Sequence, residues 1–589
     1  MKTRSIQRGK GGRRSEGGYV LVVVVFMAAI SLMVMAATLS RTGATSQLNS
    51  RNNAYLQCLS ASEAATERIM ARMISDYRNG GDALVTANLG QYRTNVPGAS
   101  DSAYWTNFVF TDALGNKGRT YVQVSSNYTY VQLDSQYAGL GGFATGYRVI
   151  SNARPSWGQT GVVNAVQQDL QLATIPVFQF AIFYSGLLEF TWAAPFTVRG
   201  RTHSNASIYT GSSQDLTFQD YVTASGVIQK RGWAGYSVYS MGGDIDYNGG
   251  SSTNVPTLTL PIGTNNTSDA VREILNIPPA GESPTSAMGK ERYYNKANMI
   301  LLVSNSAVRL QIQSNYTATA TLTWTNSLSA FVNTNVSFYD QREGKTIKTT
   351  EIDMTKLTRW LATNGNSTVS ALSRAPVILY VADNRSTSGS QLAGVRIVNG
   401  QVLPTNGFTL STPNPLYVKG HYNVTNNSHL GTTNTSSSVP SSLASDALTI
   451  LSSSWDDSKS TFSLGSRNDA VNTTVNAAVL TGIVPSGGSD GSSPFSGGVM
   501  NVPRLLEDWG NGSKHLTLNT SLVNLFNSTR ATGAWTTPGI FYYAPSRDFS
   551  FDLNFKNPNR LPPGTPRLGT LIRGRWYNAP PGVTNYAGL

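Results

Sequence analysis

The first forty residues limit most what this 589-residue chain can become. The stretch "RRSEGGYVLVVVVFMAAISLMVMAATLSR", residues 13–41, sets two glycines between a basic leader and a long uncharged apolar run. Residues 19–39 are interrupted only by Ser31 and Thr38. As a helix rising 1.5 Å per residue, such a run reaches about the 30 Å of a bilayer core. An ordinary secretory signal has a shorter core, about 7–15 residues, before a small-residue cleavage site, and only Ala36 and Ala37 resemble one. Lys2, Arg4, Arg8, Lys10, Arg13 and Arg14 stand against Glu16 in the leader. The positive-inside bias keeps such a leader cytoplasmic and sends everything after Arg41 across the membrane.

The segment that follows predicts a continuation of the same helix. "TGATSQLNSRNNAYLQCLSASEAATERIMARMISDY" has no proline, and Leu48, Tyr55, Leu59, Ser62, Thr66, Ile69 and Met73 recur at helical steps. An amphipathic stalk ending near Tyr77, where "RNGGD" supplies a stop, is therefore expected. Glu63, Glu67, Arg68 and Arg72 are spaced for i, i+4 pairing.

Gly18 followed by aromatic Tyr19, the unbroken apolar helix and then "NSRNNAYLQCLSASEAATERI" together resemble the type IV pilin superfamily. Within it they are most similar to PilX-type minor pilins and the large minor pseudopilin of type II secretion, through Asn49, Arg51, Ala54 and Ser62-Glu63-Ala64-Ala65. The resemblance spans residues 10–78. It implies cleavage after Gly18 by a prepilin peptidase, methylation of Tyr19, and partnership with other pilins or pseudopilins through the helix. It also implies a bacterial inner-membrane location, with the carboxy-terminal body periplasmic, extracellular or in a pilus. Most major pilins carry Glu as the fifth mature residue; here that place is Val23. A buried ammonium without its carboxylate is costly, so the resemblance points to a minor, non-repeating component.

Beyond residue 78 the composition turns to strands and corners. Only 13% of residues are charged, about half the usual share, while Gly, Asn, Ser and Thr abound. "YVQVSSNYTYVQL" alternates as a half-buried strand does, and "VFQFAIFYSGLLEFTW" reads as a buried strand pair. Short helices are expected at "SDAVREILNI" and "EIDMTKLTRWLATN". "PFTVRGRTHSNASIY" and "PLYVKGHYNVTNN" resemble each other, Val198-Arg199-Gly200 matching Val418-Lys419-Gly420. Short apolar rungs with Asn and Gly corners suit a parallel β-solenoid; an antiparallel β-sandwich is the alternative.

The expected fold class is thus mainly β with a long N-terminal α-helix and small α+β insertions. The expected divisions are a leader at 1–18, anchor and stalk at 19–78, a β-rich domain at 79–175, and solenoid-like segments at 176–260 and 371–500. An α+β insertion at 261–370 separates those segments, and a loop-rich region at 501–589 follows. Other stretches, "SGGVMNVPRLLEDW" and "NRLPPGTP" among them, look like large bacterial proteins with the same amino terminus, a likeness that carries no activity.

Little in the sequence points to catalysis, and no enzyme is expected. His203, His421, His429 and His515 have no zinc-type spacing, and turn or stacking roles suit the first two. "GGSDG" around Ser489 and "GLGGFA" match catalytic and dinucleotide patterns in letters only, since neither precedes a helix. Asp244, Asp246 and Asn248 in "DIDYNG" are the candidate calcium ligands, against an Asx-rich turn, and the twelfth loop position is Val255 instead of Glu. No other cofactor is expected. Glu507 and Asp508 are the paired carboxylates that a sugar-cleaving site would use, although neighbours on a helix do not face each other. Lys556, Arg560, Arg567, Arg573 and Arg575, with Phe555 and Trp576, form a basic and aromatic cluster of the kind that tracks DNA. The leading functional expectation is a minor pilin or pseudopilin-like component. A surface adhesin binding glycan through its many tyrosines and tryptophans is the alternative.

Overall fold

The computed structural model describes residues 17–579 except 113–114, 158–160, 192–194, 213, 234–242, 324–325 and 488–494. The leader through residue 16 and Ser489 lie outside the described residues. The protein is mainly β with one long N-terminal helix.

Helix α1 runs from Gly17 to Ala87. No proline occurs before Pro97, so nothing interrupts its i→i−4 ladder. The "RNGGD" segment expected to stop it only bends it: Gly81 takes φ 66°, a left-handed value that glycine tolerates, and the helix resumes. From 19 to 53 every residue is exposed. Thereafter Ala54, Cys58, Ala61, Ala65, Ile69, Met73 and Tyr77 form a buried stripe at three- and four-residue steps. Burial pushes the Cys58 thiol up to about 11, consistent with a small packing residue.

That stripe lies on an antiparallel sheet. Strands β1 (Phe108–Thr111) and β2 (Tyr121–Gln132) follow one another along one edge of β3 (Gly141–Pro155). β4 (Asn164–Pro176) pairs with the other edge. The last neighbour of β4 comes from the far end of the chain: Arg567–Ala579 runs antiparallel to it from Arg567↔Pro176 to Ala579↔Ala165. Alternation sends Tyr147, Val149, Leu170, Leu172 and Leu571 toward Ile69, Met70, Met73 and Tyr77 of α1. Ala173, Ile175, Leu568 and Ile572 join the core of the body. Residues 177–566 are therefore an insertion between two adjacent strands, closed by a backbone hydrogen bond from Val177 N–H to the Pro566 carbonyl (3.0 Å).

The body is built from parallel ladders. The longest runs, neighbour to neighbour, through Ser251–Ser252, Val222–Ala224, Arg201–Ser204, Phe180–Tyr184, Leu522–Asn524, Ala478–Thr481, Ser441–Ser445, Phe408–Ser411, Val377–Asp383 and Met299–Val303, all in parallel. Two antiparallel strands, Val308–Ser314 and Thr317–Thr323, finish its far edge. Leu188–Thr191 and Phe196–Val198 start two further parallel ladders, so the chain visits three ladders in turn before returning to the first. The body begins mid-ladder: Phe180–Tyr184 is flanked by Arg201–Ser204 on one side and by Leu522–Asn524 on the other.

Corners are held by side-chain amides. Asn423 and Asn476 each donate to the other's backbone carbonyl, and the Asn519 amide donates to Asn476 Oδ1 at 2.8 Å. Such a column satisfies the carbonyls that a corner removes from the ladder.

Several expectations are corrected. The stretch 177–192 is not a strand pair, because Phe180–Tyr184 and Leu188–Thr191 turn a corner at Ser185-Gly186 into different ladders. The matching "PFTVRG" and "PLYVKG" segments fall in different ladders: Phe196–Val198 belongs to a three-stranded ladder and Leu416–Lys419 to a separate six-stranded one. Residues 501–589, read as loop-rich, contain His515–Thr520, Leu522–Asn524, Ser546–Phe551 and the long sheet strand Arg567–Ala579. Their Gly, Pro and Asn content belongs to the corners between those strands. The pairing expected among Glu63, Glu67, Arg68 and Arg72 does not form, because the residues four apart, Glu63 with Glu67 and Arg68 with Arg72, are like-charged: Glu67 takes a bidentate bond from Arg573 (2.7 and 2.8 Å), Arg68 reaches Asp101 at 2.7 Å, and Arg72 pairs with Asp76 at i, i+4.

Candidate functional site

The exposed half of α1 is the most unusual surface of the molecule. Tyr19, Phe26 and Met33 are among the large apolar side chains left bare around the helix, and none of its most apolar stretch is buried. A helix apolar on all faces requires a nonaqueous or protein surround. Its hydroxyls already fit one: Thr38 Oγ1 donates to the Val34 carbonyl at 2.9 Å, and Thr42 Oγ1 donates to that of Thr38 at 2.8 Å. Polar groups satisfied by their own helix can lie in lipid. By length and composition this helix can cross a membrane once. Gly18 and Tyr19 are both helical, and Val23 is 45% exposed, with no carboxylate in its place.

The other candidates are dispersed or buried. The His203 ring stacks on Phe183 with centroids 5.2 Å apart, and its nitrogens meet Thr223 Oγ1 (2.8 Å) and Asn205 Oδ1 (2.9 Å). Burial lowers its pKa to about 4, so it is neutral. His421 Nδ1 accepts from the Thr474 N–H, His429 meets Ser437, and exposed His515 meets Asp548.

Asp246 lies in the strand Ile245–Tyr247, with Asp244 and Asn248 just outside its two ends. Ile245 and Tyr247 turn to the core, Tyr247 stacking on Phe218. Among the described residues no group of three or more His, Cys, Asp or Glu could hold a metal ion. "GLGGFA" opens β3 and leads into a sheet.

The basic cluster is split up: Lys556 pairs with Asp220, Arg560 donates to the Ser438 carbonyl, Arg567 covers the Phe143 ring at 4.3 Å, and Arg573 holds Glu67. Phe555 is buried.

Glu507 and Asp508 do not share a cleft. Glu507 is buried and accepts from Ser452 N–H (2.6 Å) and Oγ (2.7 Å), while the Asp508 backbone bridges Asp469 and Tyr543. The sequence offered no sign of a second buried acid, Glu189. It borders a cavity of about 200 Å³ where the two ends of the body meet, and its Oε2 has no partner. Desolvation pushes both acids up to about 7.

A raised carboxyl pKa fixes the sign of the pH dependence. The contribution is fully present below the unfolded value of about 4.3 and lost as pH rises through the folded value. The melting temperature is thus expected to fall between pH 5 and 8, and Glu189→Gln to flatten that fall. A variant with the parent's slope would remove Glu189 from the account.

Comparisons with protein-family models, curated proteins and solved structures gave no match.

Proposed function

We propose that this protein is a membrane-anchored minor pilin or pseudopilin-like component of a type IV pilus or type II secretion-like assembly. It is cut after Gly18 by a prepilin peptidase and displays a large β body outside the bacterial inner membrane. The observation that carries this reading is the division of α1: one continuous helix is bare and apolar at its start and buried against a sheet further on. The first part serves as anchor or as packing helix within an assembly. The second fixes the body to it. Val23 removes the carboxylate that a repeating subunit would use against its neighbour's amino terminus, which favours a minor or tip position.

We further infer that the parallel ladders of the body are the sides of one β-solenoid, whose two sequence segments join at the Ile182↔Leu522 pairing. Stacking buries each rung under the next without disulfides, and the chain has a single cysteine. Amino-terminal mass spectrometry of the native protein tests the assembly reading. A methylated Tyr19 start is the expected result, and an intact 1–18 segment would sink it.

A further inference from the structure

A cavity of about 630 Å³ lies where the turn before β3, residues 135–139, meets the first strands of the body. Gln136, Arg201, Asp220, Tyr221, Ser252 and Lys556 line it. Arg201 is only 7% exposed. Its guanidinium lies over the Tyr221 ring, 5.0 Å from the centroid, and one terminal nitrogen donates to the Gln136 carbonyl. Nε has no partner. Other arginines of similar burial have carboxylates in contact: Arg272 with Asp446, Arg292 with Glu282, Arg396 with Asp457, and Arg504 with Glu343. Arg467 has no such contact, but the charge of Glu507 acts on it. For Arg201 the carboxylate whose charge acts most is Asp220, already engaged by Lys556 at 3.3 Å.

The wall therefore carries two cations against one carboxylate, and a buried cation short of a counter-ion is expensive. A guanidinium and an ammonium converging on one space suit an oxyanion. The Tyr221 and Ser252 hydroxyls, 2.6 Å apart, add neutral donors beside them. The volume is that of a small-ligand site.

We propose that this cavity binds a small oxyanion-bearing ligand of sugar size, a carboxylate or phosphate group serving as the counter-ion of Arg201 and Lys556. The site draws on both parts of the molecule, since Gln136 belongs to the helix-backed sheet and Arg201 to the body.

The test uses the full chain in detergent micelles, with melting temperature followed against sodium phosphate, sodium galacturonate and neutral glucose at constant ionic strength. A saturable rise with phosphate or galacturonate, and none with glucose, is expected. Whichever anion acts identifies the group. Lys556→Gln, at an exposed position, is expected to weaken the response about tenfold by removing one charge-assisted contact and freeing Asp220 to occupy Arg201. Arg201→Met is expected to abolish it, and where that variant fails to fold, Lys556→Gln decides alone. No saturable shift with either anion, an equal shift with glucose, or a response unchanged in Lys556→Gln would overturn the proposal.

Discussion

Asp446→Ala is expected to destabilise the protein by about 3–5 kcal/mol, the range for breaking a buried ion pair from one side. Asp446 is fully buried. Its Oδ1 accepts from Arg272 Nη2 at 2.8 Å and from the Thr529 N–H at 2.9 Å, and its Oδ2 accepts from the N–H groups of Arg530 (3.0 Å) and Ala531 (2.9 Å). One carboxylate thus holds the helix Ser268–Arg272, the corner after Ser441–Ser445, and the turn after residue 528. Removing it strands a guanidinium and three backbone donors away from water, each of which carries its own desolvation cost. Chemical unfolding measures the loss. If the cause is the stranded charge, Asp446→Ala combined with Arg272→Met will be less damaging than the two single losses added. An additive double variant would place the loss in packing.

Deleting residues 567–579 is expected to unfold the helix-backed sheet. The deleted strand supplies buried Leu568, Leu571 and Ile572, each worth about 1.5–3 kcal/mol of burial. Together they rival the 5–15 kcal/mol stability of a whole domain. It also supplies the partner ladder for β4 and the Arg573 contact to Glu67 on α1. The ladders at the far edge of the body do not touch this strand through any pairing and should persist. Limited proteolysis reads the difference: cleavage within β1–β4 and after Ala54 of α1, with the body protected. A truncated chain whose sheet resists protease as the parent does would show that α1 alone holds β4.

Local signals were readable in the sequence and nonlocal ones were not. The apolar run, its helical continuation and the strand-rich body follow from periodicities within a few residues; the helix Met354–Thr363 lies where its pattern places it, and α1 does so up to the glycines that bend it without stopping it. The strands of the body were legible as short apolar strings with Asn and Gly corners; their order in the ladders was not. Parallel strands of the longest ladder start at 180, 201, 222, 251 and 299, and then at 377, 408, 441, 478 and 522. The spacing drifts because the segments between successive strands vary in length, so no fixed period survives in the letters. The return of residues 567–579 to β4 left no local mark, since its alternation is that of any strand. Likewise, Arg201 is distinguished only by what surrounds it after folding, and nothing beside Glu507 in the sequence marks it as the acid that Ser452 caps.

The mid-ladder start of the body has a consequence in time. Phe180–Tyr184 is buried at all five positions, and its neighbour on one side is separated from it by some 341 residues, as the Ser521 hydroxyl bond to the Phe180 carbonyl measures. A chain made at about 5–20 residues per second leaves that edge without its partner for roughly 20–70 s. Strand edges so apolar template the pairing of whatever extended chain reaches them first. The biogenesis of this protein is thus paced by its own ordering: the strand made first must be shielded by something other than its native neighbour until nearly the whole body has followed it.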